Sequence, residues 1–184
     1  MEEEIEMQRS WSDDPNKCTF IVHASESVEE GDDRIPIDQF VVKENLASMV
    51  GDVNLFLSEI EDDDEEGVEH NKKIVGEGSR VQAEIDIMIA EKDYQGKGIG
   101  KEATSAMLLY GATKLGIGRF FCKINEDNMA SIGLFKSLGF EQCNYAECFK
   151  QVELEMIVPL ATLRQRLEPL GAYREVPCPI DHES

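Results

Sequence analysis

Gln95-Gly96-Lys97-Gly98-Ile99-Gly100 puts three glycines at alternate positions, with Lys97 inside the run and Lys101 directly after it. Glycine leaves the backbone bare and free to take positive φ. An apolar stretch from Ala83 to Ile89 precedes the run, and a helix-like stretch, Lys101 to Leu115, follows it. A glycine loop that opens a helix aims unpaired N–H groups at one point, and the helix dipole adds to their pull on negative charge. The predicted chemistry is anion binding, with Gln95, Lys97 and Lys101 around a backbone cradle of Gly96, Gly98, Ile99 and Gly100. The spacing is not that of a P-loop, because Glu102 follows the lysine where Ser or Thr is needed. It is not the dinucleotide fingerprint, which has glycines at the first, third and sixth positions. Taken alone, the run is equally well a turn that reverses the chain.

The elements around it must hold the cradle in place. Ala83 to Ile89 reads as a strand with Ile85, Ile87 and Ile89 on one face and Glu84 and Asp86 on the other. Ala103, Ala106, Met107 and Tyr110 make a stripe at helical spacing, ended by Gly116 and Gly118. Arg119 to Ile124 reads as a strand. Asn128 is an N-cap for a helix to Leu138 whose buried face is Ile132, Phe135 and Leu138. Further strands are expected at Cys18 to His23, Met49 to Leu57 (with Gly51 marking a bulge), Phe140 to Cys143 and Phe149 to Val158. Met1 to Trp11 reads as helix. The order is α+β with a mixed sheet.

Two separated motifs in this order resemble the GCN5-related N-acetyltransferase superfamily. The first is the Gln-x-x-Gly-x-Gly of Gln95, Gly98 and Gly100 after a strand. The second is the strand Phe120 to Ile124, then Asn128-Met129-Ala130-Ser131, then Leu138-Gly139-Phe140. A narrower likeness, to the tubulin N-acetyltransferases of that superfamily, is carried by Met7-Gln8, Ser10-Trp11, Lys17 to Val22, Val50 to Leu57 and Met88 to Glu91. It runs from about Met7 to about Met156.

The resemblance implies acetyl-CoA as co-substrate and direct acetyl transfer to a protein or peptide amine, tubulin among the candidates. It implies that the strand ending at Ile89 and the one starting at Arg119 splay apart, so that pantetheine slots between them along the backbone of Ile87, Met88 and Ile89. It places polar contacts to CoA at Asn125 and Asn128, the latter equally a plain helix cap, and an oxyanion-binding backbone N–H near Ile89; Ser131, one helical turn in, is either within reach of phosphate or a plain first-turn residue. An α-amine has a pKa near about 8, so a modest base suffices. Glu84 is the first candidate and Asp86 the second. Many members carry a Tyr that protonates the leaving thiolate where this chain has Phe135; Tyr145 is the candidate substitute. Members also carry an N-terminal strand and helix ahead of the segment matching Met7 to Trp11, so an N-terminally truncated fold is expected. Residues 1–158 would form the acetyltransferase domain, with acidic insertions at 25–45 and 58–80. Residues 159–184 would form a terminal helix and tail.

Composition narrows the function classes. A net charge of −20, from 18 basic and 38 acidic side chains, excludes a basic nucleic-acid footprint. The acid gathers in Glu2–Glu6, Glu26–Asp33 and Glu59–Glu69, either as solvated loops or as a field that draws a cationic amine. No apolar run is long enough to span a membrane. Five cysteines without Cys-x-x-Cys spacing read as reduced thiols, hence a cytoplasmic protein, with Cys122 as core. Three scattered histidines give no metal-ligand pattern. Two main readings stand: an acetyl-CoA-dependent N-acetyltransferase, or an acyl-CoA-binding interaction protein that does not catalyse. A nucleotide-binding module lacks the Lys-Ser/Thr pair it would need.

Overall fold

The computed structural model describes residues 14–24, 49–60 and 80–157. The expected helix at Met1 to Trp11, most of both acidic insertions and the terminal helix lie outside these residues. Among the described residues are six strands and two α-helices: β1 (Lys17–His23), β2 (Met49–Glu59), β3 (Val81–Ile89), α1 (Ile99–Lys114), β4 (Ile117–Asn125), α2 (Met129–Leu138), β5 (Glu141–Ala146) and β6 (Gln151–Ile157). They form one mixed sheet in the order β1-β2-β3-β4-β6-β5. All neighbours are antiparallel except β3 and β4, which are parallel and joined through α1. A parallel pair needs such a crossover.

Strand alternation sorts the side chains. Val53, Leu55, Ala83, Ile85, Phe120, Cys122, Leu154 and Met156 point to one face and share a buried cluster with Met107 and Leu108 of α1 and with Ile132, Phe135 and Leu138 of α2. The other face carries polar residues. Arg119 there donates to Gln82 at 2.7 Å and pairs with Glu155 at 2.8 Å and Glu153 at 3.4 Å.

Several boundaries differ from expectation. Helix α1 begins at Ile99, two residues early, so Gly100 lies inside its first turn. Its buried face is Thr104, Ser105, Met107, Leu108 and Gly111; of the expected stripe Met107 is buried, while Ala103, Ala106 and Tyr110 are half-buried. Both hydroxyls give their protons to carbonyls one turn back, Gly100 and Lys101, each at 2.7 Å, so they can be buried at no unpaired polar cost. Gly116 ends the helix region at φ +66°, whereas Gly118 is already in β4. Ser58 and Glu59 extend β2. Strand β5 runs on to Ala146, and Phe149 sits exposed in the turn before β6. The bulge expected at Gly51 is present: Val22 pairs with Gly51 and His23 with Met49, so Val50 is the extra residue, on β2.

Candidate active site

The cleft exists because β3 and β4 stop pairing partway. Their register covers Val81–Ile117, Gln82–Arg119, Ala83–Phe120 and Glu84–Phe121, and no pair follows. Both strands run on, to Ile89 and to Asn125. Strand β3 stays with β2 throughout, as far as the pair Gly51–Ile89. A Cβ on Gly51 would lie 1.9 Å from the Met88 carbonyl oxygen, so only glycine fits where β2 meets the end of β3. The splay expected from the motifs is therefore present, and the backbone of Ile87 to Ile89 forms one side of it.

The opening is a cleft of about 230 Å³. Ile85, Ile87, Cys122, Ile124 and Phe135 give it apolar walls; Asp86, Lys123, Asn125, Asn128, Ser131 and Gln151 give it polar ones. Four expected site residues, Asp86, Asn125, Asn128 and Ser131, thus meet here with Ile87. Asn128 caps α2, its Oδ1 accepting from the Ser131 N–H at 3.1 Å. Asn125 Oδ1 accepts from Gln151 Nε2 at 3.2 Å. Gln151 and Lys123 are the cleft residues that sequence reasoning missed. Lys123 was within reach of strand alternation, being two residues from Phe121 on a strand already recognised. Gln151 needed the β4–β6 register.

Beyond the end of β3, the glycine loop is braced at both ends. Ala90 and Glu91 N–H groups donate to the Val50 carbonyl at 2.8 and 3.3 Å. A short 3₁₀ turn, Lys92–Tyr94, leads to Gln95, whose Nε2 donates to the Ile89 carbonyl at 2.7 Å. Gln95 therefore fastens the loop to the strand. Gly96 and Gly98 take φ of +73° and +89°. The first bond of α1 runs from Glu102 N–H to Gly98 C=O at 3.0 Å, leaving the amides of Ile99, Gly100 and Lys101 in the unpaired first turn. A Cβ on Gly100 would come within 3.3 Å of Leu134 and 3.6 Å of Ile89, so this glycine lets the helix start approach α2 and β3. Lys97 lies over the Tyr94 ring at 5.2 Å, and Lys101 is half-buried in the first turn of the helix. Gly96 to Lys101 thus form a glycine-rich helix start beyond the end of β3.

On the sheet face away from the helices, Glu84 sits at the point where the strands part. Its carboxylate pairs with Lys123 at 3.2 Å, both partly exposed. Met88, near the end of β3, is exposed and outside the cleft lining. Asp86 faces Asn54 across the β2–β3 ladder. Asn54 is committed elsewhere: it accepts from Thr19 and donates to Asp52, each at 2.5 Å. Tyr145 is outside the cleft lining. Its hydroxyl donates to Glu126 at 2.5 Å, and that bond first, with nearby negative charge, raises its pKa. Cys122 is buried in the wall, and burial pushes its thiol up to about 12, which leaves it protonated and unreactive. Among the described residues no three His, Cys, Asp or Glu side chains gather as a metal site. No helix there is long and apolar enough to cross a membrane.

An acetyltransferase (GNAT) domain model matches residues 4–141. The chain belongs to the GNAT acetyltransferase family. Among GNAT relatives, an N-acetyltransferase 9-like protein of Nematostella vectensis is 39% identical over 155 residues, covering 84% of this chain and 65% of that protein. The Homo sapiens protein named alpha/beta-tubulin-N-acetyltransferase 9 is 37% identical over 177 residues, covering 96% of this chain and 73% of that one. The chain thus spans a little under two thirds of the first of these relatives. A mutant spermidine/spermine N-acetyltransferase from Vibrio cholerae superposes with a TM-score of 0.54 at 17% identity, covering 90% of this chain and 77% of that one, a likeness of GNAT fold alone.

Proposed function

We propose that the chain is an acetyl-CoA-dependent N-acetyltransferase acting on a protein α-amine, with tubulin the first acceptor to test and the cytoplasm its compartment. The observation that carries this is the pairing of two features: a parallel seam that opens after Glu84, and a glycine-rich helix start at the far end of the same strand. The first-turn amides with Lys97 and Lys101 suit the CoA pyrophosphate. The splayed backbone of Ile87, Met88 and Ile89 suits the pantetheine amides. Asn125, Asn128 and Ser131 stand on the opposite wall as polar contacts.

The amine approaches from the face that carries Glu84 and Asp86. Glu84 takes the amine's proton, directly or through water, as nitrogen attacks the thioester carbonyl. Asp86 is the second candidate. A backbone N–H near Ile89 meets the oxyanion. Attack occurs in a ternary complex, and the buried, protonated Cys122 speaks against an acyl-enzyme. The second reading, a CoA-binding protein without catalysis, draws on Phe135, which offers the thiolate no proton, and on Tyr145, whose hydroxyl is spent on Glu126. The test is incubation with acetyl-CoA and purified α/β-tubulin, followed by mass spectrometry of the tubulin N-termini. Acetylated N-termini above a no-enzyme control are expected; binding of acetyl-CoA without transfer to tubulin or to a panel of N-terminal peptides would favour the second reading.

A further inference from the structure

Transfer of an acetyl group from a thioester leaves a thiolate, and its charge must be met inside the cleft. Phe135 has no donor, and Tyr145 lies outside the lining with its hydroxyl bound to Glu126. Among the described residues that line the cleft, Lys123 is the one cation. Its near neighbour on the same face, Arg119, is held by Glu153 and Glu155. Lys123 is held only loosely: its side chain is 47% exposed, it rests over the Phe121 ring at 5.3 Å, and its partner is Glu84 at 3.2 Å.

We propose that Lys123 is a catalytic residue of the acetyl transfer, its ammonium group stabilising the CoA thiolate as it departs. The proposal rests on the acetyltransferase reading above. Before reaction the ammonium is balanced by the Glu84 carboxylate. The new N–C bond forms and the C–S bond breaks, with its electron pair staying on sulfur. The amine's proton passes to Glu84, which becomes neutral. Negative charge thereby leaves Glu84 as it appears on sulfur, and the Lys123 ammonium exchanges one anion for the other. A positioned charge acts where charge develops. The thiolate takes its proton from water on release, and Glu84 returns its own to solvent. The long lysine stem supplies the reach, and the site needs no second titrating donor.

The decisive measurement uses free CoA as the probe and needs no acceptor. Thiolate absorbance of bound CoA is followed against pH, as a difference from the same complex with desulfo-CoA, which cancels the protein thiols. The bound thiol should ionise about one pH unit or more lower in the wild type than in Lys123→Met, a tenfold change in its ionisation constant. Lys123→Arg should keep most of the difference. Turnover of Lys123→Met should fall about 10²-fold or more in kcat, in the range lost with one stabilising donor, while acetyl-CoA affinity stays within about threefold, well under the tenfold step of 1.4 kcal/mol. Identical thiol titration in wild type and Lys123→Met would overturn the proposal even if turnover fell, because Lys123 would then serve only to orient Glu84. Failure of the wild type to bind CoA would overturn the acetyltransferase reading itself, and this assignment with it.

Discussion

Gly51 of β2 and Met88 of β3 meet so closely that a Cβ on the glycine would stand 1.9 Å from the methionine's carbonyl oxygen. Backbone, and not a flexible side chain, occupies that space. Gly51→Ala must therefore push the end of β3 off β2. The expected cost is about 1–3 kcal/mol, the usual range for forced overpacking, read as a lower melting temperature. The displaced strand is the one offered to pantetheine, so acetyl-CoA affinity should fall as well. A variant with unchanged stability and affinity would show that the end of β3 accommodates a side chain at position 51.

Gly98 has open space around its missing side chain but a φ of +89°. Gly98→Ala is expected to strain the backbone by about 1–2 kcal/mol and to misdirect the amides that follow it. Acetyl-CoA affinity should drop at least tenfold, about 1.4 kcal/mol, with far-UV dichroism retained. Isothermal titration of the folded variant checks this, and normal binding would reduce the loop to a turn.

Glu84→Gln keeps the size of the side chain and removes the base. We expect kcat at neutral pH to fall by roughly 10²–10⁴-fold, with partial recovery at higher pH, where an α-amine of pKa near 8 is already neutral. Asp86→Asn should cost less, since Asp86 is second choice. Tyr145→Phe should change the rate less than about threefold, short of any general-acid contribution. Full activity in Glu84→Gln would move the assignment to Asp86.

Asn128→Ala removes the cap that receives the Ser131 N–H. Loss of such a cap costs about 1 kcal/mol, measurable by denaturant unfolding. Because Asn128 also lines the cleft, acetyl-CoA affinity should fall by more than stability alone explains. Parallel loss in stability with no loss in affinity would leave it a cap only.

Cys122 is 2% exposed, and its thiol is pushed up to about 12 by burial from a reference of 9.0. Its folded-state pKa lies above its unfolded value, so the stability it contributes is whole below pH 9 and declines as pH rises through the window towards 12. Brief alkylation of the native protein should label exposed Cys148 and spare Cys122, as peptide mass mapping would report. Labelling of Cys122 in the native state would reopen an acyl-enzyme route.

How much of this was legible in the sequence depended on range. The facing of Ile85, Ile87 and Ile89 away from Glu84 and Asp86 follows from a period of two and needed no partner. The Asn128 cap was likewise local. The buried side of α1 was hidden because Thr104 and Ser105 look polar, yet each bonds its own helix. The need for glycine at position 51 was hidden further still, in the close approach of Gly51 and Met88 on different strands. Lys123 acquired meaning only when β4 was placed beside β3, which brings its ammonium to Glu84 across 39 positions of chain.

The parallel seam between β3 and β4 is short, ending at Glu84 and Phe121, and each strand is otherwise secured to its own side: β1-β2-β3 on one hand, β4-β6-β5 on the other. Mechanically the sheet is two antiparallel leaves bound along half a spine, with the Arg119–Gln82 bond at the closed end. A ligand strand laid into the open half would bind the leaves along their full length. Amides of Ile87 to Ile89 and Cys122 to Asn125 should then exchange hydrogen for deuterium more slowly, while those near Val81 and Ile117 stay as they were, so the co-substrate would act as the missing stitch in the protein's own cooperativity.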